Sequence, residues 1–445
     1  EVGPGEGRHA GQMLLAVFLV LGSYYFVKPV RDGLLAATGV EGLSRVELKA
    51  SAVFAQSLLL AGLIPLYARL AGRLSRRALL TGVNLFFVAS LLVFWLLQPG
   101  LLVERVPFLG VAFYLWVGVF NAGVIAQFWS FTTDVYGGRG KRLIPVIAVG
   151  ASAGAVAGAW AVQSLVSAGA LRTYSLLPVG AVLLLVATVL LRRVEENTKT
   201  RAGSEPRAAA GDAGALDLVL GHRYLLATAA FVLILNWVGT TGENVLFGVV
   251  QQAVARAVDE RGIVDPAAIE RTIADETTAF YGSFFFWTNL AALLLQTLLV
   301  SRVVRYGGFG TAFLLLPVVA MFSYLTMALV PVLAAVRLMK IAENAIAYSV
   351  GNTANQILWL PATREMKYKA KAAIDTIFVR AGDALGALTV LIGTYALGLP
   401  LRSLYVVNVL LIGASLLVGG IVVRERRRLA RRPAAASGEP FDLAA

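Results

Sequence analysis

Cysteine is absent from the 445 residues, which excludes disulfides, thiol chemistry and thiolate-bound metals. Histidine occurs only at His9 and His222, so neither a histidine metal site nor a histidine acid/base pair is expected. No Gly-rich loop ends in Gly-Lys-Ser/Thr, which removes the phosphate cradle of a fuel-hydrolysing motor. Charge is also scarce: 15% of residues are Asp, Glu, Lys or Arg, against 58% hydrophobic. A soluble chain of this length needs far more polar surface to cover its globule. No enzyme constellation, resident cofactor or metal is therefore expected.

What the chain has in abundance is charge-free length. Stretches 79–98, 107–133, 143–171 and 403–423 each suffice to cross ~30 Å of hydrocarbon at ~1.5 Å of rise per residue. Apolar runs predict twelve membrane spans at 12–38, 51–71, 79–98, 107–133, 143–168, 173–191, 223–252, 278–301, 308–330, 332–358, 371–397 and 402–423. Lys28, Arg31 and Asp32 interrupt the far end of the first run without a small-residue cleavage site. It reads as helix one rather than a signal peptide. The expectation is an all-α polytopic protein with one six-helix bundle over 1–191 and a second over 223–432. A flexible polar linker over 192–222 joins them, and a disordered tail follows over 433–445. Segment 253–277 is the largest outward loop, with a short surface helix over 267–273.

The net charge of +13 has a topological distribution. Basic clusters occupy every second break: Arg69, Arg73, Arg76 and Arg77; Arg139, Lys141 and Arg142; Arg192, Arg193, Lys199, Arg201 and Arg207. Arg302 and Arg305 follow, then Arg364, Lys367, Lys369 and Lys371, and last the arginines over 424–432. Intervening breaks are balanced or acidic, most clearly Asp259, Glu260, Asp265, Glu270, Asp275 and Glu276. This is the positive-inside pattern of a multi-pass protein with both ends cytoplasmic. The basic residues answer to topology and to anionic headgroups of the lipid bilayer. No folded basic domain exists to hold nucleic acid.

The halves echo one another. Span four enters the basic turn 133–142 and then a Gly-rich helix; span ten enters Thr363–Lys371 and then a helix with Gly382 and Gly386. Two similar six-helix halves on a cytoplasmic linker are a major-facilitator-like layout. Gly150, Gly154 and Gly158 recur every fourth residue on one face of span five. That face serves either tight packing or a smooth seam for rocking. The loop 72–77 partly resembles the major-facilitator loop signature but lacks its aspartate.

Ionisable groups at membrane depth are retained where they face a cavity or a partner. On span ten, Arg337, Lys340, Asn344, Tyr348, Asn352 and Asn355 follow steps of three and four. They form a polar stripe that reads as a wet pathway or as a buried network, with Glu343 spaced to neutralise Lys340. On span one, Tyr24, Lys28 and Arg31 share a face, and Lys28 can pair with Asp32 at i,i+4; these residues lie in a cavity or at the interface. On span seven, Asn236, Thr240 and Glu243 align, and Glu243 must find a partner or become protonated. Span eleven carries Asp375, with Arg380 and Asp383 spaced to pair; span four adds Asn121 and Gln127. Guanidinium and ammonium groups suit phosphate or carboxylate ligands. Tyr24, Tyr25, Trp129, Tyr348 and Trp359 could stack on a planar ring or anchor the interface.

Phe128-Trp129, the run Pro361–Asp375 with its Thr363-Arg364-Glu365-Met366 and Lys371-Ala372-Ala373-Ile374-Asp375 elements, the pair Arg31-Asp32 and Glu243 together resemble the bacterial and plastid ATP/ADP translocases. After Arg31-Asp32 the family carries a lysine where this chain reads Gly33-Leu34-Leu35; near Val117 an apolar residue replaces a family acid. The resemblance implies a major-facilitator-like fold in a bacterial inner membrane and alternating-access exchange of ATP for ADP. It places Glu243 as an acidic cavity residue and Arg364 as a basic residue near span ten. The expected substrate is an anionic metabolite bound by Lys28, Arg31, Glu243, Arg337, Lys340, Asn344, Tyr348, Arg364 and Arg380. Asp32, Glu243, Glu343, Asp375 and Asp383 would serve coupling or gating. A proton-coupled carrier of another organic anion or amphiphile stands as the alternative, as does a non-transporting scaffold or sensor.

Overall fold

In hydrocarbon a backbone must satisfy its own hydrogen bonds, and the apolar runs do so as helices. The structure, a computed structural model, describes residues 6–71, 76–104, 106–136, 140–197 and 213–437. The basic loop 72–75, the turn 137–139, positions 198–212 of the linker and the tail from 438 lie outside the described residues. Thirteen helices run through the rest. They are α1 (Glu6–Ala37), α2 (Arg45–Ala71), α3 (Arg76–Leu96), α4 (109–136, with a π-turn at Asn121–Ile125), α5 (Gly140–Ser167) and α6 (Leu176–Asn197). After the short α7 (Ala213–Gly221) come α8 (Arg223–Glu260), α9 (Pro266–Leu298), α10 (Val300–Leu329), α11 (333–358), α12 (Met366–Ala396) and α13 (Leu401–Ser437).

Eleven of these are long and apolar enough to cross a membrane. The chain is a multi-pass, all-helical membrane protein. The twelfth expected span, α11, is helical over its expected range but too polar to join the eleven. Arg337, Lys340, Glu343 and Asn344 crowd its first half.

Three expectations are corrected by local chemistry. The outward loop shrinks to 261–265, because α8 continues to Glu260 and α9 starts at Pro266. Gly262, at φ 62°, ends the first helix, and the Asp265 carboxylate caps the second by accepting the Ala268 amide at 2.9 Å. Proline at the first helical position then costs no hydrogen bond. The end of the linker is likewise helical, α7 burying Ala215 and Val219 in the local core. Finally, α13 continues to Ser437, beyond the expected start of the tail.

Packing divides the chain into two compact units. Unit one is Glu1–Pro206 with Phe247–Leu290; unit two is Arg207–Leu246 with Ala291–Ala445. Helix α8 therefore contributes 223–246 to unit two and 247–260 to unit one. In unit one, α1 packs on α5, α6 and α4, and α3 on α6. In unit two, α10 packs on α11 and α13 around a core that includes Tyr224, Phe313, Leu358, Met366, Ile374 and Val422. The Tyr224 hydroxyl donates to the Leu358 carbonyl at 2.6 Å.

Lipid tails are as apolar as leucine, so helix association in a membrane depends on close approach rather than water exclusion. Both units achieve it with glycine. A Cβ on Gly154 of α5 would lie 2.2 Å from the Phe18 carbonyl oxygen of α1, and on Gly158 2.7 Å from that of Gly22. In unit two, a Cβ on Gly382 of α12 would lie 2.5 Å from the Leu233 oxygen of α8, and on Gly386 2.8 Å from that of Trp237. The fifth span thus packs on the first as the eleventh packs on the seventh. The internal echo in the sequence is an echo in packing.

Candidate functional site

The intramembrane charges gather into one cluster per unit. In unit one, Ser44 and Glu47 form a reciprocal cap, the Ser44 amide donating to the Glu47 carboxylate at 2.7 Å and the Glu47 amide to Ser44 Oγ at 3.4 Å. This starts α2 at Arg45 and puts Lys49 just over a turn inside, buried. Its Nζ lies 3.0 Å from Asp32 Oδ1, and Arg31 Nη2 lies 2.9 Å from Asp32 Oδ2. Asp32 is completely buried, so each carboxylate oxygen needs a cation. It takes them from its neighbour Arg31 and from α2, rather than from Lys28 one turn earlier.

Aromatic faces enclose the cations. Arg31 lies 4.5 Å from the Tyr114 ring centre, and Lys49 lies 4.4 Å from that of Phe247 and 5.2 Å from that of Tyr281. Lys28 sits over Phe285 at 4.0 Å, with Tyr25 and Tyr24 at 5.4 and 5.7 Å. Rings at such distances stabilise a desolvated cation by roughly 0.5–2 kcal/mol each. The cluster thus sets two cations on one carboxylate, with Lys28 on the neighbouring rings. On α4 the Gln127 amide is buried with neither its nitrogen nor its oxygen hydrogen-bonded.

Unit two assembles its cluster from α8, α10 and α11. Lys340 Nζ lies 3.0 Å from Glu343 Oε2 and 3.8 Å from Glu243 Oε1. It also donates to the Tyr324 hydroxyl at 3.5 Å, while Asn344 Nδ2 donates to Glu243 Oε1 at 3.0 Å. One ammonium here serves two carboxylates. Beside it, Arg380 Nη1 pairs with Asp383 Oδ2 at 2.9 Å, and Thr240 Oγ1 donates to Asp383 Oδ1 at 2.9 Å.

The continuous stripe expected on α11 is divided. Lys340 and Glu343 are buried within unit two, Arg337 and Asn344 are half-buried, and Tyr348, Asn352 and Asn355 are exposed. Helical geometry accounts for the split: at about 100° per residue, Lys340 lies roughly 50° and Glu343 roughly 110° round from the line of Arg337 and Asn344. A π-turn at Ala347–Gly351 then shifts the phase of everything after it. Two further candidates stand apart from both clusters. Arg364 is exposed, over the Tyr368 ring at 5.8 Å, and Asp375 pairs with Lys371 on the exposed start of α12.

Sequence reasoning missed Lys49 and Tyr324. The Ser44-x-x-Glu47 pattern was the readable signal for the first, since it starts the helix six residues before the apolar run. Tyr324 sits within an apolar span and carries no such signal.

No family model matches the chain. A stretch of 136 residues is 27% identical to ADP,ATP carrier protein 1 of Chlamydia pneumoniae, covering 26% of each chain. The chain thus matches about a quarter of the length of its curated relatives. Likeness to solved structures is global. An auto-inhibited POT family peptide transporter shares 13% identity at a TM-score of 0.61, with 96% of this chain and 97% of that one covered. The nucleoside transporter NupG shares 13% at a TM-score of 0.57, with 94% and 98% covered. At such identity the likeness is one of fold, and that fold is major-facilitator-like.

Proposed function

We propose that the chain is an alternating-access membrane transporter of an anionic metabolite, with ATP/ADP exchange as the specific reading. The observation that carries it is the cation-rich cluster of unit one, where Arg31 and Lys49 converge on Asp32 and Lys28 lies over Phe285. Cations are retained at membrane depth mainly where they face a cavity or a partner. A phosphate group suits such cations: its oxygens take bidentate hydrogen bonds from a guanidinium and point-charge contacts from an ammonium. Nucleotide identity rests on the partial likeness to the ADP,ATP carriers.

In this reading the chain catalyses no covalent chemistry. It lies in a bacterial inner membrane with both ends cytoplasmic, a reading that the positive-inside pattern supports, and the six-helix halves 1–191 and 223–432 are the elements that rock. The test is counter-flow. Proteoliposomes loaded with unlabelled ADP should take up labelled ATP, and empty ones should not. Uptake that ignores internal nucleotide removes exchange. A second reading, a proton-coupled carrier of another organic anion, is favoured by the two carboxylates that share Lys340 in unit two. Uptake driven by an imposed pH gradient and uncoupled by Glu243→Gln would select it.

A further inference from the structure

The steps of three and four on α11 suggested that Lys340 meets the anion. Its surroundings describe a different task. The ammonium has three N–H donors, and three oxygens surround it: Glu343 Oε2 at 3.0 Å, the Tyr324 hydroxyl at 3.5 Å and Glu243 Oε1 at 3.8 Å. The Tyr324 hydroxyl is anchored in turn, donating to the Val238 carbonyl of α8 at 3.2 Å. Gly242 makes room for both groups, since a Cβ there would lie 1.8 Å from the tyrosine oxygen and 3.0 Å from Lys340 Nζ.

Exposure rises in one direction through this cluster. Tyr324 is 0% exposed, the Lys340 side chain 1%, that of Glu343 8% and that of Glu243 34%. The group that reaches the surface of unit two is therefore a carboxylate, steadied by the Asn344 amide at 3.0 Å. A carboxylate accepts hydrogen bonds and repels phosphate.

We infer that Lys340 is a positioning residue: with Glu343 and Tyr324 it holds Glu243 as the acceptor for donor groups of the substrate, sugar hydroxyls or an amine, and it does not contact the anionic moiety. This rests on the nucleotide reading above.

The test compares Lys340→Met, Lys340→Met/Glu343→Gln and Glu243→Gln in proteoliposomes, with ATP, ADP, AMP and a 2′,3′-dideoxynucleotide as probes. Lys340→Met strands the buried Glu343 carboxylate and removes the ammonium beside Glu243, and should lower exchange at least about tenfold; the double variant removes a matched pair and should recover to within about threefold of wild type. The double variant should also keep the wild-type order of half-saturation from ATP to AMP. Glu243→Gln, at the more exposed end of the cluster, should erode the preference for hydroxyl-bearing over dideoxy nucleotide. A folded double variant as inactive as Lys340→Met overturns the inference, and so does loss of affinity that grows with substrate charge. If wild type exchanges no nucleotide, the nucleotide reading fails by itself. Melting of the solubilised proteins then decides the inference: Lys340→Met must melt below the double variant, and equal or higher melting overturns it.

Discussion

The two buried clusters use the same ingredients in opposite proportion. In unit one a carboxylate, Asp32, pairs with Arg31 and Lys49; in unit two an ammonium, Lys340, pairs with Glu343 and Glu243. In each, the minority charge is the most deeply buried member, Asp32 at 0% and Lys340 at 1% side-chain exposure. The physical reason is desolvation. A buried charge is tolerable where opposite charges surround it, so the central charge of each cluster is the one drawn furthest inward.

The sharpest way to break this comparison is to remove the minority charge of unit one. Asp32→Asn leaves Arg31 and Lys49 together without their counter-charge and should cost about 3–5 kcal/mol of stability. Lys49→Met leaves Asp32 still paired with Arg31 and should cost clearly less. Thermal unfolding of both variants in detergent measures the order. Equal losses would mean that the sign in the minority has no special role.

A smaller effect tests whether the units share their scaffold while differing in charge. Gly154→Ala and Gly382→Ala each push a methyl against a carbonyl oxygen of the facing helix, at 2.2 and 2.5 Å, and should each cost about 1–3 kcal/mol. Gly82→Ala and Gly413→Ala meet nothing within 4 Å and should be neutral or stabilising by up to about 1 kcal/mol. The same unfolding assay reads all four. A tolerant Gly382 beside an intolerant Gly154 would break the equivalence of the two seams.

Much of the fold was legible because it follows from hydrophobic length, and the glycine spacing of α5 forecast close packing without naming the partner helix. The Lys340–Glu343 and Arg380–Asp383 pairs were legible from i,i+3 spacing, since both partners lie on one helix. Contacts made between helices were not. Nothing in the sequence joins Lys49 to Asp32, or Tyr324 to Lys340. The segment 253–277 was misread because its charges suggested a loop; they lie on extended ends of α8 and α9, where Asp275 accepts hydrogen bonds from both the amide and the hydroxyl of Thr173 at 2.9 and 2.7 Å. The stripe on α11 was over-extended because a π-turn is invisible to counting in threes and fours.

The smallest expected effect, that of Asp375→Asn, is set against that of Asp383→Asn; pattern alone treated these two aspartates of α12 alike. Asp383 is held at 2.9 Å by Arg380 and at 2.9 Å by the Thr240 hydroxyl of α8, so it joins two helices through charge-assisted hydrogen bonds. Asp383→Asn weakens both and should cost about 1.5–3 kcal/mol. Asp375 pairs with Lys371 one turn away on an exposed face, where water solvates either partner once the pair is broken. Asp375→Asn should therefore cost no more than about 1 kcal/mol, and added salt should shrink even that. Comparing the two melting shifts at low and high salt reads the difference directly. An Asp375 shift that equals the Asp383 shift and resists salt would show that α12 draws on its exposed start as much as on its junction with α8.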